Sequence, residues 1–370
     1  MGSGKERLKA LLEKADITID GTKPWDIQIH NDKIYQRVLA EGSLGFGEGY
    51  MDGWWDVKEL DQFIEKIFSS NIYDDTYKFS LMFDFVKAKM MNMQTLKRSK
   101  KVAKEHYDLG NNFYEHMLDK RMQYTCAYWK DAKTLDQAQE NKLHLICKKL
   151  QLKKGEKVLE LGCGWGGFAK FAAENYGVSV VAYNISKEQV EYARKINNGL
   201  DVEIVHADYR EATGKFDKVA SIGLCEHVGY KNYRGLMELA HKCLKNRGLF
   251  LLHTIGHYKN VTKCDPWVDK YIFPNGMLPS PEQLGRAMNE IFILEDWHNF
   301  GPDYDKTLMA WFDNFDKNWA KFREKYGDRF YKMWKFYLLS FAGNFRARKI
   351  ELYQLVLSKN GILGGYSSVR

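Results

Sequence analysis

Five short apolar runs follow one another through the middle of the chain: "KVLELG" (Lys157–Gly162), "VSVVAYNI" (Val178–Ile185), "VEIVHAD" (Val202–Asp208), "DKVASIG" (Asp217–Gly223) and "GLFLLHTIG" (Gly248–Gly256). Stretches of helical periodicity separate several of them, among them "GGFAKFAAENY" and "SKEQVEYARKIN". Buried strands alternating with helices predict an α/β fold with a doubly wound, mainly parallel sheet. The residues up to about Phe85 have a different texture. Short helical patterns there surround the glycine- and aromatic-rich "EGSLGFGEGYMDGWWD" (Glu41–Asp56). Next comes "KAKMMNMQTLKRSKKVAKEH" (Lys87–His106), basic and poor in turn residues. It reads either as a solvated helical linker or as an amphipathic surface for acidic headgroups, where each Lys or Arg adds about 1 kcal/mol. The expected organisation is a small, mainly helical domain over residues 1–86, a basic linker over 87–104 and a Rossmann-like domain over 105–370. Late in the chain, Leu308, Trp311, Phe312, Phe315 and Trp319 recur at helical spacing. Such a stripe fits core packing, and equally the lining of an apolar tunnel.

Composition narrows the picture without deciding it. The 370 residues are 45% hydrophobic, and no apolar run approaches the roughly 20 residues of a spanning helix. The opening "MGSGKERLKALLEKADI" carries charges where a signal peptide needs its apolar stretch, so retention in the cytoplasm is expected. Six cysteines lie scattered with no CxxC spacing, which argues against a disulfide framework or a structural zinc site. A net charge of +8 suits an anionic partner. Nucleic acid is not expected, because the basic residues do not interleave with stacking aromatics.

Two stretches carry candidate chemistry. "VLELGCGWGG" sets Gly162, Gly164 and Gly167 in G-x-G-x-x-G spacing between a predicted strand and helix, as a nucleotide-binding turn requires. A dinucleotide site would also need an acid about 20 residues on. Asn184 occupies that place. The same stretch reads E-x-G-x-G-x-G from Glu160 to Gly166 and resembles motif I of the class I S-adenosylmethionine-dependent methyltransferases. That resemblance places Glu160 near the methionine amino group and Gly162 and Gly164 beneath the cofactor. The second stretch, "GLCEHVG" (Gly223–Gly229), sets a thiol, a carboxylate and an imidazole side by side. No metal site is expected there: consecutive residues project in different directions, and no second cluster has ligand spacing.

The likeness then extends over nearly the whole chain. "KEHYDLGNNFYEHML", "MQYTCAYW", "LELGCGWGG", "CEHVG", "FLLHTIG", "DPWVDKYIFPNGMLPS", "EDWHNFGPDYDKTLMAWF" and "FRARKIELYQLV" together resemble the cyclopropane-fatty-acyl-phospholipid synthase family. "RVLAEGSLGFGEGYMDGWWD" is similar to the small helical domain that bacterial members carry ahead of the catalytic one. The resemblance implies a class I methyltransferase domain with a lipid-binding amino-terminal domain. It also implies methylene transfer from S-adenosylmethionine to the cis double bond of an unsaturated phospholipid acyl chain. An alkene carbon that accepts a methyl becomes a cation, so such a site needs apolar or aromatic walls and one placed base.

In the family that base is a bicarbonate ion. The matching positions here are Glu226, Cys126, His253, Tyr304 and the backbone of Ile255, while Cys225 and His227 are expected to be structural. For the cofactor, the resemblance points to Tyr107 and Gly110 over the methionine end, Asn184 and Gln189 at the ribose, and Asp208, Tyr209 and Arg210 around the adenine. Asn184 departs from the threonine that relatives often have, and Tyr209 also fits plain core packing. The family further implies a peripheral protein on the inner face of the cell membrane and a homodimer. Two other readings stay open: a related lipid C-methyltransferase that closes no ring, and a lipid-binding protein without catalysis.

Overall fold

The structure, a computed structural model, describes residues 4–70 and 109–370. The proposed linker over 87–104 and Tyr107 lie outside the described residues. The chain divides into two compact units. The described part of one comprises residues 4–70, Lys263–Pro274 and Tyr304–Ile350; that of the other comprises residues 109–262, Asn275–Asp303 and Glu351–Arg370.

The second unit is built on a seven-stranded sheet: β3 (Lys157–Leu161), β4 (Ser179–Asn184), β5 (Val202–His206), β6 (Phe216–Ile222), β7 (Leu244–His257), β8 (Ile293–Asn299) and β9 (Ile350–Ser358). Its order is β5-β4-β3-β6-β7-β9-β8. β3 through β7 pair in parallel, and β8 pairs antiparallel with β9. All five predicted strands are present. Their near-continuous apolar character follows from burial on both faces. Val158, Val180, Ala220 and Leu251 face one core with Phe168 and Phe171 of the helix Gly167–Tyr176. Their neighbours Leu159, Val219 and Phe250 face the other, against Leu236 and Met237 of the helix Tyr233–Cys243. Crossover helices therefore cover both faces, which is the doubly wound arrangement.

β8 and β9 were not among the predicted strands. The half-exposed sequence of β8, "ILEDWHN", alternates poorly, and its register slips between Leu294 and Asp296. β9 is buried along its whole length even though it contains Glu351 and Gln354.

The other unit is mainly helical, with one short antiparallel ladder of β1 (Gln28–Ile29) and β2 (Trp55–Asp56). Its centre is Trp55, fully buried, stacked on Phe46 at 4.2 Å and donating Nε1–H to the Phe46 carbonyl at 2.9 Å. The glycine-rich segment singled out in the sequence is the helix Ser43–Met51. Glycine costs a helix interior about 1 kcal/mol relative to alanine. Here it permits close packing, because a Cβ at Gly47 would lie 2.4 Å from the Trp267 ring. Buried Glu48 on this helix accepts from Lys270 and Tyr271 and pairs with Arg37. The amino-terminal helices thus share their core with two later stretches of chain, and a boundary near residue 86 describes only part of this unit. In the helix Pro302–Asn318, Leu308, Trp311 and Phe315 are buried and Phe312 is half-buried; Trp319, in the 3-10 turn Trp319–Lys321 that follows, is half-buried too.

Two helices of this unit cross closely at Gly343, where a Cβ would lie 2.4 Å from the Asp61 carbonyl and 2.9 Å from the Glu65 nitrogen. Gly343→Val should therefore cost on the order of 3 kcal/mol, as overpacking against backbone does. Urea unfolding checks this, and an unchanged midpoint would show that the helices can part freely.

Candidate active site

β3 and β6 are neighbours whose following helices cover opposite faces of the sheet. A crevice opens at such a switch point, beyond the strand ends. Both candidate stretches lie there. After β3 the chain turns through Gly162, Gly164 and Gly166, with φ of +82°, +52° and +79°, into the helix that begins at Gly167. The glycines serve different ends. At Gly166 and Gly167 a Cβ would strike neighbouring atoms, at 2.8 Å from Asn197 Nδ2 and 2.2 Å from the Arg121 carbonyl respectively. At Gly164 a Cβ would meet nothing within 4 Å among the described residues, although the left-handed backbone still favours glycine. An open approach to backbone at a helix start is what a bound nucleoside requires.

The surroundings hold this turn in place. Trp165 donates Nε1–H to Asn111 Oδ1 at 2.8 Å and packs against Tyr114 at 4.8 Å, which brings the start of the helix Asn111–Met117, just after Gly110, to the turn. Gly110 has φ +79° and likewise an open Cβ position. Asn184, at the end of β4, donates to the Gly164 carbonyl at 2.8 Å and to Gln189 Oε1 at 2.9 Å, and accepts the Ser186 amide. Asn184 and Gln189 therefore brace the turn and each other. After β5, Asp208 caps a short 3-10 turn and holds the Arg210 guanidinium with both oxygens at 2.7 Å, while Arg210 lies 5.4 Å from the Tyr209 ring centre. Tyr209 is half-buried.

Glu160, two residues before the first glycine, is 2% exposed, and its Oε2 has no hydrogen-bond partner. Burial pushes its pKa up to about 8, opposed by the Lys142 ammonium. An unpartnered buried carboxylate oxygen fits a cationic amino group as ligand.

After β6, Gly223 (φ +71°) leads into the 3-10 turn Cys225–His227. The Glu226 side chain is buried. Its Oε1 accepts the Ile255 amide at 2.7 Å, and its carbonyl accepts the Met277 amide at 2.8 Å. Among the described residues its Oε2 has no partner within hydrogen-bond geometry. Burial lifts its pKa to about 7, opposed by the backbone amides of Ile255 and Glu226 and by the nearby Thr254 hydroxyl. The Ile255 backbone thus bears on the site by fixing one oxygen of Glu226. On β7, His253 is 1% exposed; its Nδ1 lies 3.1 Å from Gln354 Nε2, and its Nε2 is without a partner. With the Gln354 amide donating to Nδ1, the ring proton sits on Nε2. Burial and the Lys142 and Lys149 charges keep the imidazole neutral. Two buried polar atoms without partners, an acceptor at Glu226 and a donor at His253, fit a small hydrogen-bonding anion such as bicarbonate. Cys126 is fully buried with its Sγ 3.2 Å from the Ala127 carbonyl, and its neighbour Thr125 packs on Gly223. Tyr304 belongs to the helical unit, where it is buried with its ring 4.5 Å from Phe345. Cys225 is fully buried. Sequence reasoning did not find Gln354, which lies in an unpredicted strand, or Lys142, which looks like one of many helical lysines.

A glycine turn open toward a helix start, at the switch point of a 3-2-1-4-5-type sheet closed by an antiparallel pair, defines a class I S-adenosylmethionine-dependent methyltransferase. The description "Mycolic acid cyclopropane synthetase" matches residues 94–355, and the chain belongs to that family. It is 48% identical over 361 residues to the cyclopropane-fatty-acyl-phospholipid synthase of Escherichia coli K12, covering 97% of this chain and 94% of that protein. Among solved structures, the cyclopropane synthase MmaA2 of Mycobacterium tuberculosis aligns with a TM-score of 0.67 at 28% identity, over 70% of this chain and 98% of that one. The mycolic acid cyclopropane synthase CmaA1, complexed with S-adenosylhomocysteine, aligns at 0.66 and 29%, with the same coverage.

Gly164→Val should abolish S-adenosylhomocysteine binding in a folded protein, since the added branches would fill the one open position of the turn. Calorimetry gives the test; unchanged affinity would mean that the ligand lies elsewhere.

Proposed function

We propose that this chain transfers a methylene group from S-adenosylmethionine to the cis double bond of an unsaturated phospholipid acyl chain, with bicarbonate as the general base. The observation that carries the reading is the Glu226 carboxylate, fixed through one oxygen and unpartnered at the other. Family membership and the 48% identity to a cyclopropane-fatty-acyl-phospholipid synthase support it independently.

An isolated double bond is a weak nucleophile, so the site must hold the alkene and the methyl donor in contact. S-adenosylmethionine supplies the electrophilic methyl group when bound. Gly162 and Gly164 admit it to the turn, Glu160 receives its amino group, Gly110 and Tyr107 cover the methionine end, Asn184 and Gln189 face the ribose, and Asp208, Tyr209 and Arg210 border the adenine. Bicarbonate, when bound, would supply a base for the proton that the transferred carbon must lose before the ring closes. Glu226, His253, Cys126 and the Ile255 backbone would form its site. Within that site Ile255 orients Glu226, Glu226 Oε2 accepts the ion's own proton, and His253 Nε2–H donates to its charge. A carboxylate with a pKa near 7 suits a proton that must move both ways near neutrality.

The amino-terminal segment, residues 1–86, contributes to a helical unit that serves the lipid. Among the described residues no helix is long and apolar enough to cross a membrane. The same reading makes the protein a peripheral one on the inner face of the cell membrane and a homodimer, held to the surface partly by Lys97, Arg98, Lys100, Lys101 and Lys104. Sedimentation with vesicles should then strengthen with anionic lipid and weaken with salt. Salt-independent binding to neutral vesicles would point to apolar insertion instead.

Glu226→Gln keeps shape but removes the proton acceptor. Turnover of labelled S-adenosylmethionine with unsaturated phospholipid vesicles should fall by about 100-fold or more, while affinity for S-adenosylhomocysteine stays unchanged. Added bicarbonate should restore a depleted wild type fully and the variant at best partly. Wild-type turnover in the variant would reduce "GLCEHVG" to a structural turn.

A further inference from the structure

Lys142 lies on the helix Leu135–Lys149 and is completely buried, with no solvent exposure. Its ammonium donates to two neutral oxygens, Gln123 Oε1 at 2.7 Å and Thr125 Oγ1 at 2.9 Å. One helical turn earlier on the same face, Gln139 Nε2 donates to the Gln123 and Thr125 carbonyls at 3.3 and 2.9 Å. The helix thus grips residues 123 and 125 by both side chain and backbone. Asp119 completes the fixing of this loop by accepting the Arg121 and Gln123 amides.

Each gripped residue touches a different half of the candidate site. Gln123 lies under the cofactor turn, where a Cβ at Gly167 would be 2.4 Å from its Nε2. Thr125 lies against the turn that leads to Glu226, where a Cβ at Gly223 would be 2.6 Å from its Cγ2. Gly223 in turn donates its amide to the His253 carbonyl at 2.9 Å. Cys126 is the next residue in the chain. A buried charge of this kind is a poor way to gain stability, since well-packed apolar groups of similar volume often serve as well or better. A buried ammonium at this place therefore points to a role beyond folding.

We propose that Lys142 is a positioning residue for the reaction: through Gln123 and Thr125 it sets the cofactor turn and the base site in register with each other. The inference rests on the function proposed above. Around Lys142 stand Asp119 and Cys126 from the loop, Glu160 from β3 and His253 from β7. Burial lowers the lysine's pKa to about 8, so its charge is present below that pH and lost above it.

The full-length protein carrying Lys142→Met, which fills the same space without charge, tests this. Expected are a kcat on unsaturated phospholipid vesicles roughly 10- to 100-fold lower, as misplacement of reacting groups produces, and weaker S-adenosylhomocysteine binding by calorimetry. The KM for vesicles should stay unchanged. Wild-type kcat should decline as pH rises through about 8, and the variant should lack that limb. A folded Lys142→Met with wild-type kcat, affinity and pH profile overturns the proposal. If Lys142→Met does not fold, Thr125→Val decides: a clear loss of kcat supports the proposal, and wild-type kcat and affinity overturn it. A wild type that turns over no lipid would instead sink the proposed reaction, while the S-adenosylhomocysteine arm would still decide for or against Lys142.

Discussion

The site depends on a topological constraint: β3 and β6 lie side by side, yet the chain leaves them toward opposite faces of the sheet. One following helix packs with Phe171 and Val180, the other with Leu236 and Phe250. No helix can cover both strand ends, so a crevice stays open there. Each strand must also turn at once, and each does so through a glycine with positive φ, Gly162 after β3 and Gly223 after β6. The cofactor turn and the Glu226 turn are two consequences of one divergence.

Into this crevice the fold places polar groups that a purely stable protein would avoid. Glu160 and Glu226 are buried with one oxygen each unpartnered, and His253 is buried with a free ring nitrogen. Unmet polar atoms of this kind cost roughly 1–3 kcal/mol apiece. Such atoms persist where a ligand meets them. Raised carboxyl pKa values follow from the same burial. Groups poised near neutrality are suited to moving protons.

Much of this was legible in the sequence. Apolar runs flanked by glycine located β3 to β7, because parallel strands buried on both faces leave continuous hydrophobic signatures. The glycine spacing located the tight turn between β3 and its helix, and the missing acid at Asn184 argued against a dinucleotide. Two strands escaped notice because β8 is half-exposed and β9 contains Glu351 and Gln354, so neither reads as an apolar run. The double duty of Asn184, which braces the Gly164 carbonyl, could not be read from spacing, since it depends on where β4 ends relative to the turn. Nor could the composite helical unit, whose later stretches join the amino-terminal helices only through tertiary packing. Lys142 escaped for the same reason: burial of one lysine among many in a helix leaves no mark in the sequence.

The central claim is that the site both methylates an alkene and removes a proton from the new carbon. S-adenosylmethionine with a fully deuterated methyl group, supplied to the enzyme with unsaturated phospholipid vesicles, tests both steps in one mass spectrum. The account predicts a cyclopropane whose bridging carbon retains two of the three deuteriums. A methyl-branched chain that keeps all three, or an acyl chain that takes up no label, would contradict it.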